Sequence, residues 1–162
     1  MYSRWQIAAK YIRYYLTAAN GKGHGIHSPF VFQFIRDVLR DKTNYPAYSR
    51  VEELREKLLK DNTAVEVEDL GAGSAMNASR QRSVSSIARN AAKSPKFSQL
   101  LYRIAKKYQC DPIIELGTSL GLTTCYFSLA NPGGKVTTIE GAPAITGLAR
   151  RNFADLDLDN IN

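Results

Sequence analysis

Cysteine is scarce. The 162 residues hold two, Cys110 and Cys125, set in apolar surroundings with no metal-like spacing. That excludes a disulfide framework and fits a reduced, cytoplasmic protein. Long hydrophobic runs are also absent. No stretch approaches the roughly 18 uncharged apolar residues a membrane-spanning helix needs, so neither a transmembrane segment nor a membrane partner is expected. The opening MYSRWQIAAKYIRYYLTAANGKG breaks its apolar positions with Arg4, Lys10 and Arg13 and lacks the uninterrupted core of a secretory signal. Acidic residues are in short supply too, 15 Asp and Glu against 22 Lys and Arg. The imbalance is local: residues 1–60 hold 11 basic against 5 acidic, 61–111 hold 8 against 5, and 112–162 hold 3 against 5. Solvated helix faces account for most such excesses, and a polyanion such as RNA or a phosphorylated or CoA-linked substrate is the alternative. With 44% apolar and 23% charged residues, the chain can bury one ordinary core.

What is present first reads as helix. Trp5, Ile7, Ala8, Tyr11, Ile12, Tyr15 and Leu16 recur at helical spacing, predicting an amphipathic helix over about 4–19. Asn20-Gly-Lys-Gly-His-Gly25 would end it. Ser28-Pro29 is a helix start, followed by a stripe of Phe30, Val31, Phe34, Ile35, Val38 and Leu39. Ser49-Arg-Val-Glu52 reads as a capping box opening a third helix to about Lys60. Ser94-Pro95 repeats the start signal ahead of Phe97, Leu100, Leu101, Ile104, Ala105 and Tyr108. Trp5 and Tyr11, Tyr14 and Tyr15 are expected to pack in a helical core rather than stack on nucleic acid. His24 and His27, separated by glycine-rich chain without a nearby Cys or acid, make a poor metal pair.

From Asp111 the pattern changes. Pro112-Ile-Ile-Glu115 is a short apolar run closed by an acid, and Gly117-Thr-Ser-Leu-Gly121 follows. A helix over 122–130 stops at Asn131-Pro-Gly-Gly134, Lys135 to Glu140 is a second strand, and Gly141-Ala-Pro143 leads into a helix through Phe153. This order opens an α/β, Rossmann-like doubly wound parallel sheet preceded by a helical N-terminal cap. Two parallel strands do not bury both sheet faces, and a third would be due at Asp159-Asn-Ile-Asn162. The expectation is that the first two strands are present and the remainder of the fold, about a hundred residues, is missing. The chain then divides into a helical cap (1–60), a flexible Gly/Ser-rich segment (61–93), and the start of the sheet domain (94–162). The middle segment would serve as a lid, with Arg80, Arg82 and Arg89 facing an anionic substrate, or be a plain surface loop.

Two glycine stretches compete for a nucleotide. VEVEDLGAGS (65–74) alternates Val with Glu66 and Glu68, and no second strand or terminal acid is expected after it. PIIELGTSLG (112–121) has a strand before it, a helix after it, and Glu140 closing the next strand 25 residues beyond Glu115. The second is therefore the expected site. Gly117 and Gly121 form G-x-x-x-G, not the G-x-G-x-x-G that packs a pyrophosphate, and no phosphate-cradling lysine follows. A ligand with a ribose but no phosphate chain at this point fits, and S-adenosylmethionine is one.

The run IIELGTSLGLTTCYFSLANPGGKVTTIEGAP resembles the first two motifs of class I S-adenosylmethionine-dependent methyltransferases. SPKFSQLLYRIAKKYQ resembles the helix ahead of them in the catechol and caffeoyl-CoA O-methyltransferase group, and HGIHSPFVF resembles a bacterial-type prelude to such domains. The resemblance implies that Glu115 orders the methionine ammonium, and that Gly117, Thr118, Ser119 and Gly121 wrap the amino-acid end. Glu140 would accept both ribose hydroxyls, Gly141 and Ala142 would flank the adenine, and Ala91–Lys93 would touch the methionine end. It also implies O-methylation of a small molecule, with a divalent metal, if used, held by ligands outside this chain, and with the catalytic base unassigned. A homodimer is a separate expectation. An RNA or protein methyltransferase using the basic cap, and a non-catalytic binding or dimerisation module, stand as alternatives.

Overall fold

The computed structural model describes residues 4–17, 28–67 and 81–162. The glycine run at 20–25 with His24 and His27, and the first glycine stretch at 71–74 with Arg80, lie outside the described residues. The chain divides into two compact units, Met1–Asp41 and Lys42–Asn162. In the first, α1 spans Arg4–Thr17 and α2 spans Pro29–Phe34, running on into a π-helical turn at Ile35–Leu39. Ser28 caps α2 as expected, its Oγ accepting from the Val31 N–H at 3.4 Å. Of the apolar stripe anticipated here only Val38 is fully buried, while Trp5, Tyr11 and Tyr14 on α1 are exposed rather than in a core. No described helix is long and apolar enough to cross a membrane.

The second unit opens with α3 (Pro46–Lys60). Its start corrects the capping-box reading at Ser49. Pro46 occupies the first helical position after Tyr45, so the helix begins a turn earlier, and Ser49 Oγ donates back to the Pro46 carbonyl at 3.0 Å. Because the unit begins at Lys42, α3 belongs to it and not to a cap extending to residue 60. Ala47, Tyr48, Val51, Leu54 and Leu58 repeat every three or four residues and form the buried face of α3.

Within the expected flexible segment, residues 61–67 and 81–93 include two strands and a helix. Strand β1 (Ala64–Glu66) pairs antiparallel with β2 (Gln81–Ser83), Val65 opposite Arg82. A second strand therefore does follow the first glycine stretch, but it runs antiparallel. Ser83 then caps α4 (Val84–Asn90), its Oγ accepting from the Ser86 N–H at 3.2 Å. Helix α5 spans Pro95–Tyr108 after the anticipated Ser94-Pro95 start. Its buried face is Ser98, Tyr102 and Ala105, whereas Phe97 and Tyr108 are exposed. The face is turned from the expected stripe because Tyr102 enters a cluster with Tyr45, Tyr48 and Tyr126, ring centroids 5.1 to 6.1 Å apart.

Strand β3 (Ile113–Leu116), α6 (Leu122–Ala130), β4 (Val136–Ile139) and α7 (Pro143–Asp155) follow. β3 and β4 are parallel, with Glu115 opposite Thr138. Residues 160–162 add to the other edge of β4: Ile161 bridges Val136 in parallel, and the Thr138 N–H donates to the Asn162 carbonyl at 2.9 Å. α6 packs against α3, α5 and β4, which explains why its short sequence is apolar nearly all round. It covers the sheet face bearing Glu115 and Thr138. The opposite face carries Ile114, Leu116 and Ile139, all exposed, with Leu116 at 80%.

Tyr126 joins the layers. It is fully buried on α6 and donates its hydroxyl to Glu52 Oε1 on α3 at 2.9 Å, while Arg55 Nε donates to Glu52 Oε2 at 2.8 Å. Burial, then the bond to Glu52 and its charge, push the phenol far above its ordinary range, so it stays protonated and donates. Tyr126→Phe is expected to lower unfolding free energy by about 1–2 kcal/mol, the cost of a lost buried bond to a charged acceptor. Urea denaturation measures this, and an unchanged midpoint would contradict it.

Candidate functional site

The site grows from the turn between β3 and α6. Gly117 (φ +87°) and Gly121 (φ +79°) adopt the left-handed backbone that glycine takes without penalty, and Ser119 joins them at φ +50°. Nothing lies within 4 Å of where a Cβ on Gly117 would stand. A Cβ on Gly121 would meet the Phe153 ring at 2.4 Å. Gly117 thus leaves open space, and Gly121 lets α7 pack closely against the start of α6.

β4 holds this loop. The Gly117 and Thr118 N–H groups both donate to the Ile139 carbonyl, at 2.9 and 3.3 Å. The Glu140 carboxylate takes the Ser119 N–H on Oε2 at 2.8 Å and the Ala142 N–H on Oε1 at 3.1 Å. From α7, Asn152 Nδ2 donates to the Leu120 carbonyl at 2.8 Å. Gly141 lies in the turn after β4, and Ala142 precedes α7, buried, with its N–H on Glu140 and its carbonyl accepting from Thr146, and neither residue lines the two cavities beside the loop.

Glu115 faces the helix layer and its Oε2 accepts two hydroxyls, Thr124 Oγ1 at 2.5 Å and Thr138 Oγ1 at 2.9 Å. Thr118 Oγ1 lies 2.7 Å from Thr138 Oγ1. Burial raises the Glu115 carboxyl above the usual glutamate range, and the bonds from Thr124 and Thr138 and the charge of Lys93 work against that rise.

Two cavities flank the loop. One of about 300 Å³ is lined by Lys93, Glu115, Gly117, Ser119, Thr123 and Phe127 among others. The other, about 190 Å³, includes Thr138, Glu140, Arg150 and Phe153, and Thr118 borders both. The structure therefore sets Glu115, Gly117, Thr118 and Ser119 around one space and Glu140 on the neighbouring one, with Gly121 in a packing role. Ala91, Ala92 and Lys93 line the first cavity. Arg82 sits in β2 and Arg89 in the last turn of α4, and neither lines either space. Sequence reasoning missed Thr124 and Thr138. Their signal was present, a threonine nine residues after Glu115 and one two residues before Glu140, but it needs the strand register to be read. Among the described residues, no group of three or more His, Cys, Asp or Glu side chains is arranged to hold a metal ion.

No family profile matches the sequence, and no curated protein matches it. Among solved structures, 78% of the chain superposes on 44% of the SAH-bound methyltransferase PaMTH1 of Podospora anserina, with a TM-score of 0.50 and 12% identity. The fold is Rossmann-like. A Klebsiella pneumoniae protein described as an O-methyltransferase aligns over 77% of this chain and 45% of its own, with a TM-score of 0.44 and 18% identity. The chain spans less than half the length of either structure.

Because the native Glu115 carboxyl is raised, the folded state binds its proton more tightly than the unfolded state does. Its contribution is therefore fully present below the usual glutamate range and is lost as pH rises through the native value, the reverse of a salt-bridged carboxylate. Thermal unfolding followed from pH 4 to 8 should show a downward component in the wild type that Glu115→Gln removes. Equal pH slopes in the two proteins would contradict this.

Proposed function

We propose that the chain binds S-adenosylmethionine and forms the cofactor-holding part of a methyltransferase that acts on an oxygen of a small molecule. The observation that carries the reading is the pair of carboxylates, Glu115 and Glu140, closing adjacent parallel strands on either side of a glycine loop with room beside Gly117. The solved methyltransferase with this fold was obtained with SAH bound, which supports the same cofactor class here.

The residues present fit that group. A carboxylate has about four acceptor positions, and the backbone takes one on each oxygen of Glu140. Acceptor capacity remains for the two hydroxyls of a ribose. Glu115 in the larger cavity suits an ammonium, and Lys93 at the same cavity suits a carboxylate. S-adenosylmethionine, when bound, supplies a methyl group on a sulfonium. The chain's own part is to fix the ends of the ligand and exclude the wrong poses, so that an acceptor oxygen meets the methyl in line. G-x-x-x-G in place of G-x-G-x-x-G disfavours a dinucleotide at this loop.

Calorimetric titration of S-adenosylhomocysteine into the wild type and Glu140→Ala tests the reading. Micromolar binding, weakened at least about tenfold by losing a charged acceptor of two hydroxyls, is expected. A folded wild type that binds nothing would overturn the reading and favour a non-catalytic module.

A further inference from the structure

Resting on the cofactor reading above, we propose that Thr124 and Thr138 are positioning residues, whose hydroxyls hold the Glu115 carboxylate ionised and directed at the larger cavity to receive a cationic ligand group. Neither threonine is part of the glycine loop or of the strand-end acids. Thr124 is fully buried on α6, and Thr138 lies on β4 directly opposite Glu115.

The direction of the protons makes the argument. A carboxylate only accepts and a hydroxyl carries one proton. Thr138 donates that proton to Glu115 Oε2, so Thr118 must be the donor across its 2.7 Å contact with Thr138. Thr124 ends on the same oxygen. Two hydroxyl protons thus point at one carboxylate oxygen and a third, from Thr118, backs Thr138, and neither Thr124 nor Thr138 uses Oε1. Both hydroxyls donate to Oε2, and a bond donated to an ionised carboxylate is stronger than one to the neutral acid, so the pair favours the charged form. It answers a need, because burial favours the neutral form. A neutral Glu115 would give a bound ammonium no countercharge.

The surrounding charges do not do this work alone. Among the described residues, the titratable groups acting on Glu115 are Lys93, ahead of α5, and Cys125 on α6. The Cys125 thiol is pushed up to about 12, by burial first and then by Glu115 itself, and is neutral at physiological pH. Lys93 is exposed, so water screens its charge. The hydroxyls are the close and buried partners.

The test uses Thr124→Val and Thr138→Val, which remove the hydroxyl at constant volume, beside Thr124→Ser and Thr138→Ser, which keep it. Carbon-detected NMR follows the Glu115 side-chain carboxyl across pH in the ligand-free protein, and calorimetry follows S-adenosylhomocysteine binding at pH 7. The carboxyl midpoint should move to higher pH in both valine variants and return toward wild type in the serine variants. Binding should fall about tenfold in the valine variants alone, as expected for one lost bond to a charged group. An unmoved midpoint in the valine variants, or equal shifts in the valine and serine variants, would overturn the positioning role and point to packing. Moved midpoints together with a wild type that binds no S-adenosylhomocysteine would uphold the role for the carboxylate and overturn the cofactor reading beneath it.

Discussion

The bond from the Ser119 N–H to Glu140 is the constraint on which the rest of the site turns. The loop from Gly117 to Gly121 holds three residues in left-handed backbone, one of them a serine. Such a conformation persists only where its surroundings over-determine it. Glu140 and the Ile139 carbonyl, both at the end of β4, supply that restraint from the neighbouring strand. The shape of the loop then fixes where α6 begins, and with it which residues of α6 meet the sheet. Gly121 against Phe153 and Asn152 on the Leu120 carbonyl bring α7 onto the same loop. One carboxylate thus coordinates strand, loop and two helices while retaining acceptor positions for a ligand.

The two acids divide the labour by environment. Glu140 is held by backbone N–H groups, which set its direction without filling it. Glu115 sits deeper, under α6, where hydroxyls from a helix and a strand offset part of the cost of burial. The Thr118 side chain lies between the two, bordering both cavities and touching the Glu115 network through Thr138. Two consecutive loop residues thus face the two acids, Ser119 bonding Glu140 directly and Thr118 reaching Glu115 by way of Thr138.

Local signals in the sequence were strong where one residue type decides the backbone. The glycine loop, the helix over 122–130, the parallel strands and the Ser28-Pro29 and Ser94-Pro95 starts all follow from such signals. Where two signals compete, the stronger sets the boundary: Pro46 at a helix start outranks the box at Ser49. What depends on distant partners was not legible. Strands β1 and β2 are three residues each and lie far apart in the chain, too short for a pattern to mark them as partners. The tyrosine cluster joins Tyr45 and Tyr48 at the start of α3 to Tyr102 on α5 and Tyr126 on α6, and no spacing in the chain links these three segments. β2 leads into α4, and the turn after α4 carries Ala91, Ala92 and Lys93 to the wall of the larger cavity.

The central claim is that the loop at 117–121 between Glu115 and Glu140 receives S-adenosylmethionine. Ultraviolet crosslinking of radiolabelled S-adenosylmethionine, followed by proteolysis and peptide mapping, tests it most directly. The account predicts label within residues 112–142, competed away by S-adenosylhomocysteine. Label in the peptide around 65–80, or uncompeted label spread along the chain, would contradict it.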